Sequence, residues 1–287
     1  MKETTQMTLR RAKQSIRLEG TVRSHHLKMD DDKIYGKIFI STGEHSLHPV
    51  DVFETKYEIG AEGKVVRPEF HTLYALMETL YEAHDGTVAV RLGKGSHLDV
   101  FAKYNDDGEF QKRQIIKGKS LEVGISNVNP QAAFRAEVWI SNILPLSNAS
   151  DNDKVTVNTW IPVATNTVVP FEFCAYGDVA AYMIHNFGFG DTVTVNGKIV
   201  NEIKKAEKSQ KGFGTSWTSA VNVPTREYVI TGCDFAPHQI EDAFDGGLVA
   251  LAIDNYSNIL LPKLKAKAEM RHNSKGASTQ VVGSFAH

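Results

Sequence analysis

Asp85-Gly86-Thr87-Val88-Ala89-Val90 and Gly190-Asp191-Thr192-Val193-Thr194-Val195 are two versions of one phrase, 105 residues apart. Each is a turn followed by a short β-branched run that reads as a strand. A helical pattern precedes each. Phe70, Leu73, Tyr74, Met77, Leu80 and Tyr81 share one face of the first helix, which Asp85-Gly86 stops. Val179, Met183 and Phe187 stripe the second, with Asp178 as expected N-cap and Gly188 as expected C-cap.

Working outward, three strand-like runs lie upstream of each helix. They are 15–26, 33–41 and 46–53 in the first copy, and 134–144, 154–163 and 168–176 in the second. Downstream of each phrase come a polar loop and a closing strand, 111–125 and 225–235. Leu18 and Val138 are 120 residues apart, and Ile34 and Val155 are 121 apart. The shorter spacing at the helix-proximal phrase is explained by an insertion in the first copy at 54–69, a polar stretch with two glycines and a proline.

The order is strand, strand, strand, helix, strand, strand, twice. The expected fold is therefore mostly β: two tandem OB-type five-stranded Greek-key barrels, each with a helix between strands 3 and 4. The expected domains are 10–127, 128–237, and a C-terminal extension 238–287. Part of 239–259 is read as a docking helix and the last dozen residues as a mobile tail. Asp30-Asp31-Asp32 reads as a solvated hairpin turn.

Strand alternation sorts the side chains. In the second copy Ala136, Val138, Ile140, Val155, Val157, Thr159 and Ile161 face inward, which turns Arg135, Glu137, Trp139, Asn158 and Trp160 outward. In the first, Ile34, Ile38 and Ile40 face inward, and Arg17, Arg23, Tyr35, Lys37 and Phe39 face outward. Large rings on the outer face of such a sheet suit stacking on nucleobases, and the neighbouring cations suit phosphate. The competing reading is that these rings are covered by the other barrel or by the C-terminal segment. Lys204, Lys205, Lys208 and Lys211 lead into Gly212-Phe213-Gly214 and Trp217, a cationic, aromatic loop suited to clamping a polyanion, with Lys198 on the strand leading to it. The matching loop of the first copy offers Lys112 and Arg113 but is diluted by Asp106, Asp107 and Glu109.

Phe171-Glu172-Phe173-Cys174-Ala175-Tyr176-Gly177-Asp178, the short helix, Gly190 to Lys198, and the closing Glu227-Tyr228-Val229-Ile230-Thr231-Gly232 resemble the third strand, helix, fourth and last strands of bacterial and phage single-stranded DNA-binding proteins. The clear resemblance covers about a third of the chain and reaches the first copy only through the repeat. It implies sequence-tolerant binding of single-stranded DNA in replication, recombination or repair, and the tandem arrangement looks more phage-like than cellular. Cellular relatives usually carry one barrel per chain and an acidic tail. This chain ends in Gly283-Ser284-Phe285-Ala286-His287, which puts tail-mediated recruitment in doubt.

Composition narrows the alternatives. A net charge of −2 excludes a bulk polycation and leaves only local basic patches. Two cysteines, Cys174 and Cys233, exclude a disulfide framework and a CxxC zinc site. They read as small apolar residues in a reducing compartment, a single bridge being the alternative. No apolar run spans a membrane, the first residues carry no leader pattern, and a cytoplasmic protein is expected. There is no GxxxxGK[ST], GxSxG or HExxH, so no enzyme, cofactor or metal site is expected; His25, His26, His45 and His48 read as surface histidines. The expected partner is single-stranded DNA, with replication or recombination proteins and self-association as further options. A structural adaptor and a single-stranded RNA binder are the alternative functions.

Overall fold

The structure is a computed structural model describing residues 8–60, 63–82, 88–105, 107–145, 153–212 and 215–280. The side chains of residues 82, 203–224 and 274–280 lie outside that description. The chain is mostly β. The N-terminal half contains β1 (Gln14–Asp30), β2 (Lys33–Gly43), β3 (Ser46–Thr55), β4 (Tyr57–Gly60), β5 (Gly63–Val66), α1 (Pro68–Glu82), β6 (Val88–Arg91), β7 (His97–Tyr104), β8 (Phe110–Gly118) and β9 (Glu122–Val123). Next come β10 (Gln131–Pro145), β11 (Lys154–Ala164), β12 (Thr167–Tyr176), α2 (Gly177–Asn186), β13 (Thr192–Gly212) and β14 (Thr215–Cys233). The chain closes with α3 (Gly246–Asn255), a π-helical turn (Tyr256–Leu260) and α4 (Leu261–Gln280).

The second half shows the pairing plan most simply. β10 pairs β11, β11 pairs β12, β12 runs parallel to β14, β14 pairs β13, and β13 returns to β10. These five pairings close a ring. The first half repeats them: β1 with β2, β2 with β3, β3 parallel to β8, β8 with β7, and β6 back to β1. Its fourth strand is broken into β6 and β7 around Leu92–Ser96, where Gly93 lies so close to the Ser120 carbonyl that a Cβ would collide with it.

Registers agree between rings. Lys37 faces Asp51 and Phe39 faces Pro49; 121 residues on, Asn158 faces Glu172 and Trp160 faces Pro170. The first strands align differently from the sequence-based spacing. Val22 faces Val88 and Val138 faces Val193, so Val22 is the counterpart of Val138, at 116 residues rather than 120. The two-residue β1–β2 turn at Asp31-Asp32 is shorter than its counterpart between β10 and β11, and this accounts for the difference. The inserted stretch folds on itself as the β4–β5 hairpin, a separate two-stranded sheet.

The rings are joined through their first strands. β1 and β10 run antiparallel from Gln14↔Ala136 to Glu19↔Gln131. At a spacing of 116, Arg17 pairs with its own counterpart, Ala133, so a local two-fold axis passes between them. One apolar core runs through both halves, from Leu9 to Tyr256. Leu73, Leu76 and Met77 of α1 and Ala180 and Met183 of α2 enter it from equivalent places.

Helix ends and the C-terminal segment depart from expectation. The N-cap of α2 is Tyr176, without a side-chain bond, and Gly177 (φ 55°) makes the turn that Asp178 was expected to cap. The C-cap is Phe187 rather than Gly188. Asp245 caps α3 by accepting from the Leu248 amide at 2.9 Å. α4 continues to Gln280 where a mobile tail was expected over the last dozen residues, from Gly276. Its docked side, with Ala268 buried and Arg271 over the Phe101 ring, gives the segment a surface to fold on.

Candidate nucleic-acid interface

Strands 2 and 3 of the first ring carry an outward row of side chains fixed by register. Tyr35 faces Phe53, Lys37 faces Asp51 and Phe39 faces Pro49. On β1, His26 faces Lys37 and Lys28 faces Tyr35. The inward neighbours Ile34, Ile38, Ile40, Val50 and Val52 are buried, which forces the alternate residues out. Tyr35 is 39% and Phe53 55% exposed, a cross-strand pair of aromatic residues reached by solvent. Phe39 is half-buried, edge-on to His26 at 5.3 Å. Lys28, Lys33 and Arg23 are exposed around them.

Lys37 is not a free cation. Its Nζ donates to Asp51 at 2.9 Å and lies 5.8 Å from the centre of the Phe101 ring. Phe53 and Lys28 were not singled out by sequence reasoning, and His26 was read only as a surface histidine. Continuing the alternation from Phe39 across the hairpin would have found Phe53.

The second ring differs. Trp139 and Trp160 are direct cross-strand partners and share a face, but neither is displayed as expected. Trp139 is 5% exposed beneath Phe189, whose ring lies 4.9 Å away and is itself 78% exposed. Trp160 is half-buried, edge-on to Tyr256 of the π-helical turn at 5.4 Å. The cover comes from loops and the C-terminal segment, which strand alternation cannot foresee.

Glu137, expected outward, is also buried. Arg10 holds it with two bonds of 2.6 and 2.7 Å, and the Lys13 amide donates at 3.0 Å. Burial alone would push its pKa up; these donors outweigh that and hold it below the usual carboxylate range.

Further along this face Lys154 donates to Glu227 at 2.7 Å, and the Tyr176 hydroxyl donates to the same carboxylate at 2.8 Å. Burial and that bond push Tyr176 up to about 12. Asn158 is half-buried, its Nδ2 donating to Asn142 Oδ1 at 2.6 Å. With Glu172 exposed beside it, this face is less suited to a polyanion than that of the first ring.

The remaining expected residues are spread over several surfaces. Arg17 is exposed where β1 and β10 meet, Arg135 is exposed on β10, and Lys198 on β13. Lys112 and Arg113 are exposed on β8. The stretch read as a loop after Lys198 continues as a two-stranded ladder, with Lys204↔Val223, Gln210↔Trp217 and Gly212↔Thr215. It places the backbone of Lys204, Lys205, Lys208, Lys211 and Trp217 on one protruding hairpin; their side chains, and Phe213 altogether, lie outside the described residues. At its base the hairpin meets the first ring, with Glu202 opposite Ser46 and Asn201 donating to the Leu47 carbonyl.

That crossing covers His48, expected at the surface. Nε2 of His48 lies 3.0 Å from Thr42 Oγ1 and 2.9 Å from Ser46 Oγ. Burial, aided by the charge of Arg226, lowers its pKa to about 4. Cys174 is buried and Cys233 half-buried; both are free thiols. Among the described residues no three His, Cys, Asp or Glu side chains are grouped to hold a metal, and no helix is long and apolar enough to cross a membrane.

Two five-strand pairing rings, each with a helix between its third and fourth strands, define a mostly β protein of OB type. The chain belongs to the YorF family, whose description matches residues 13–267. Among solved structures it is similar to the single-stranded DNA binding protein from Thermus aquaticus, at 10% identity and a TM-score of 0.50, covering 83% of this chain and 98% of that one. A deletion mutant of the same Thermus protein matches at 10% identity, a TM-score of 0.49, and 80% and 96% coverage. At such identity the likeness concerns the fold alone. No curated protein matches the sequence.

Proposed function

We propose that this protein binds single-stranded DNA with little regard to sequence, as a binding protein rather than an enzyme. The observation that carries this is the register-paired, solvent-exposed Tyr35–Phe53 couple with Lys28 and Lys33 beside it and Arg23 further along β1. Every base has a π face, so two exposed rings accept any sequence, and the lysines meet phosphates. The fold likeness to the single-stranded DNA binding protein from Thermus aquaticus supports the reading. The sequence resemblance supports a role in replication, recombination or repair and a phage setting, and the sequence's apolar pattern supports action in the cytoplasm. We further read the two rings as separate OB domains, 10–127 and 128–237, with 238–287 as an extension that brings its helix onto both. The lysine hairpin is read as a clamp closing over the strand.

The test is fluorescence anisotropy with labelled oligothymidine across a salt series. Binding that weakens steeply with salt is expected, with Tyr35→Ala and Phe53→Ala each losing ~1–3 kcal/mol. No binding at low salt would refute the reading. A protein-contact role is the second reading, favoured by Phe189 and Phe235, which is 91% exposed, on the second ring. A stoichiometric protein complex that survives nuclease would support it instead.

A further inference from the structure

The β7–β8 hairpin of the first ring reaches over the outer face of the second. Gln114 Nε2 donates to the Glu172 carbonyl at 2.7 Å and ties the two together. Between them is a cleft of about 420 Å³. Val100, Lys112 and Gln114 form its wall on one ring; Asn158, Trp160 and Pro170 form its wall on the other. That volume lies within the roughly 300–1,000 Å³ of small-ligand sites. We propose that this cleft takes one nucleotide of the bound strand, gripped by both rings at once. The inference rests on the DNA-binding reading above.

The chemistry of the walls separates the place of the base from that of the phosphate. Trp160 lines the cleft, with Tyr256 edge-on to it at 5.4 Å and Pro170 alongside in register. A rigid, partly solvated indole is a stacking surface for a base. Gln114 and Asn158 each spend one amide hydrogen on the protein, leaving the rest of each carboxamide for a base edge. Lys112 is exposed on the first-ring wall and forms no ion pair among the described residues. The Glu172 carboxylate is exposed on the second-ring rim and repels phosphate there. The base is therefore assigned to Trp160 and the phosphate to Lys112.

The test compares wild type, Trp160→Ala, Lys112→Ala and Tyr35→Ala by salt-titrated anisotropy on one oligothymidine, with thermal melts as a check on folding. Trp160→Ala is expected to bind roughly tenfold more weakly. Lys112→Ala, on the surface and neutral to folding, is expected to lower the salt slope by about one phosphate contact. Unchanged affinity in Trp160→Ala together with an unchanged slope in Lys112→Ala, while Tyr35→Ala is weakened, would overturn the cleft alone. Failure of the wild type to bind would overturn the DNA-binding reading itself.

Discussion

His48 is neutral inside the fold because its ring is shut in by the base of the β13–β14 hairpin. Unfolded, it protonates near 6.5; folded, only near pH 4. Its contribution is therefore complete above pH 6.5 and is lost as the pH falls from 6.5 to 4. His48→Gln should shrink the difference in unfolding free energy between pH 7 and pH 4.5 by about 2–3 kcal/mol, read from urea titrations. Glu137 is the opposite case, a buried charge with its counter-ion in place. Removing a buried partner costs roughly 3–5 kcal/mol, and Arg10, 38% exposed, is screened enough to bring Arg10→Ala to about 2–4. Neither environment was legible in the sequence. Both depend on contacts between residues more than 100 positions apart: His48 with the β13 crossing, Glu137 with Arg10. Trp139 was misread for the same reason, since Phe189 covers it from a loop 50 residues away. Tyr35 and Phe39 were readable, because alternation within one hairpin is local.

The repeated Thr-Val-x-Val phrase led to the strand–helix–strand order, and the pairing rings follow it. The spacing of the first strands was misjudged because a short apolar strand offers several equivalent alignments, and only cross-strand partners select one. The length of the β13–β14 ladder escaped notice because lysine and serine carry little strand signal. The other ring strands pair with β13 as far as Lys198 and with β14 from Val229, while the β13–β14 ladder runs on to Gly212↔Thr215. Replacing residues 205–222 with a tight turn should leave the melting temperature within a few degrees of wild type. The same deletion removes three of the four lysines and should flatten the log-affinity against log-salt slope by about 2. Gly36 is a point where the sheet tolerates no side chain: φ is 142° and a Cβ would sit 2.0 Å from the His26 carbonyl oxygen. Gly36→Ala should break the β1–β2 ladder and cost several kcal/mol or soluble expression, as judged by denaturant titration.

At the scale of the molecule the halves are held by more than a linker. The β1–β10 ladder, the Arg10–Glu137 pair and the packing of α4 against β7 all cross between them. Unfolding should be a single transition. Trp139, Trp160 and Trp217 all lie in the second half, so tryptophan fluorescence reports that half while far-ultraviolet circular dichroism reports both. The two curves should superimpose in urea, and separated midpoints would show independent halves. The axis between Arg17 and Ala133 bears on geometry as well. Two faces related by half a rotation present opposite directions to anything laid across them. A polynucleotide has a 5′ and a 3′ end, so one that meets both faces in the same chemical sense cannot pass straight through. It has to double back, and the distance along the β1–β10 seam sets the shortest bend it must make.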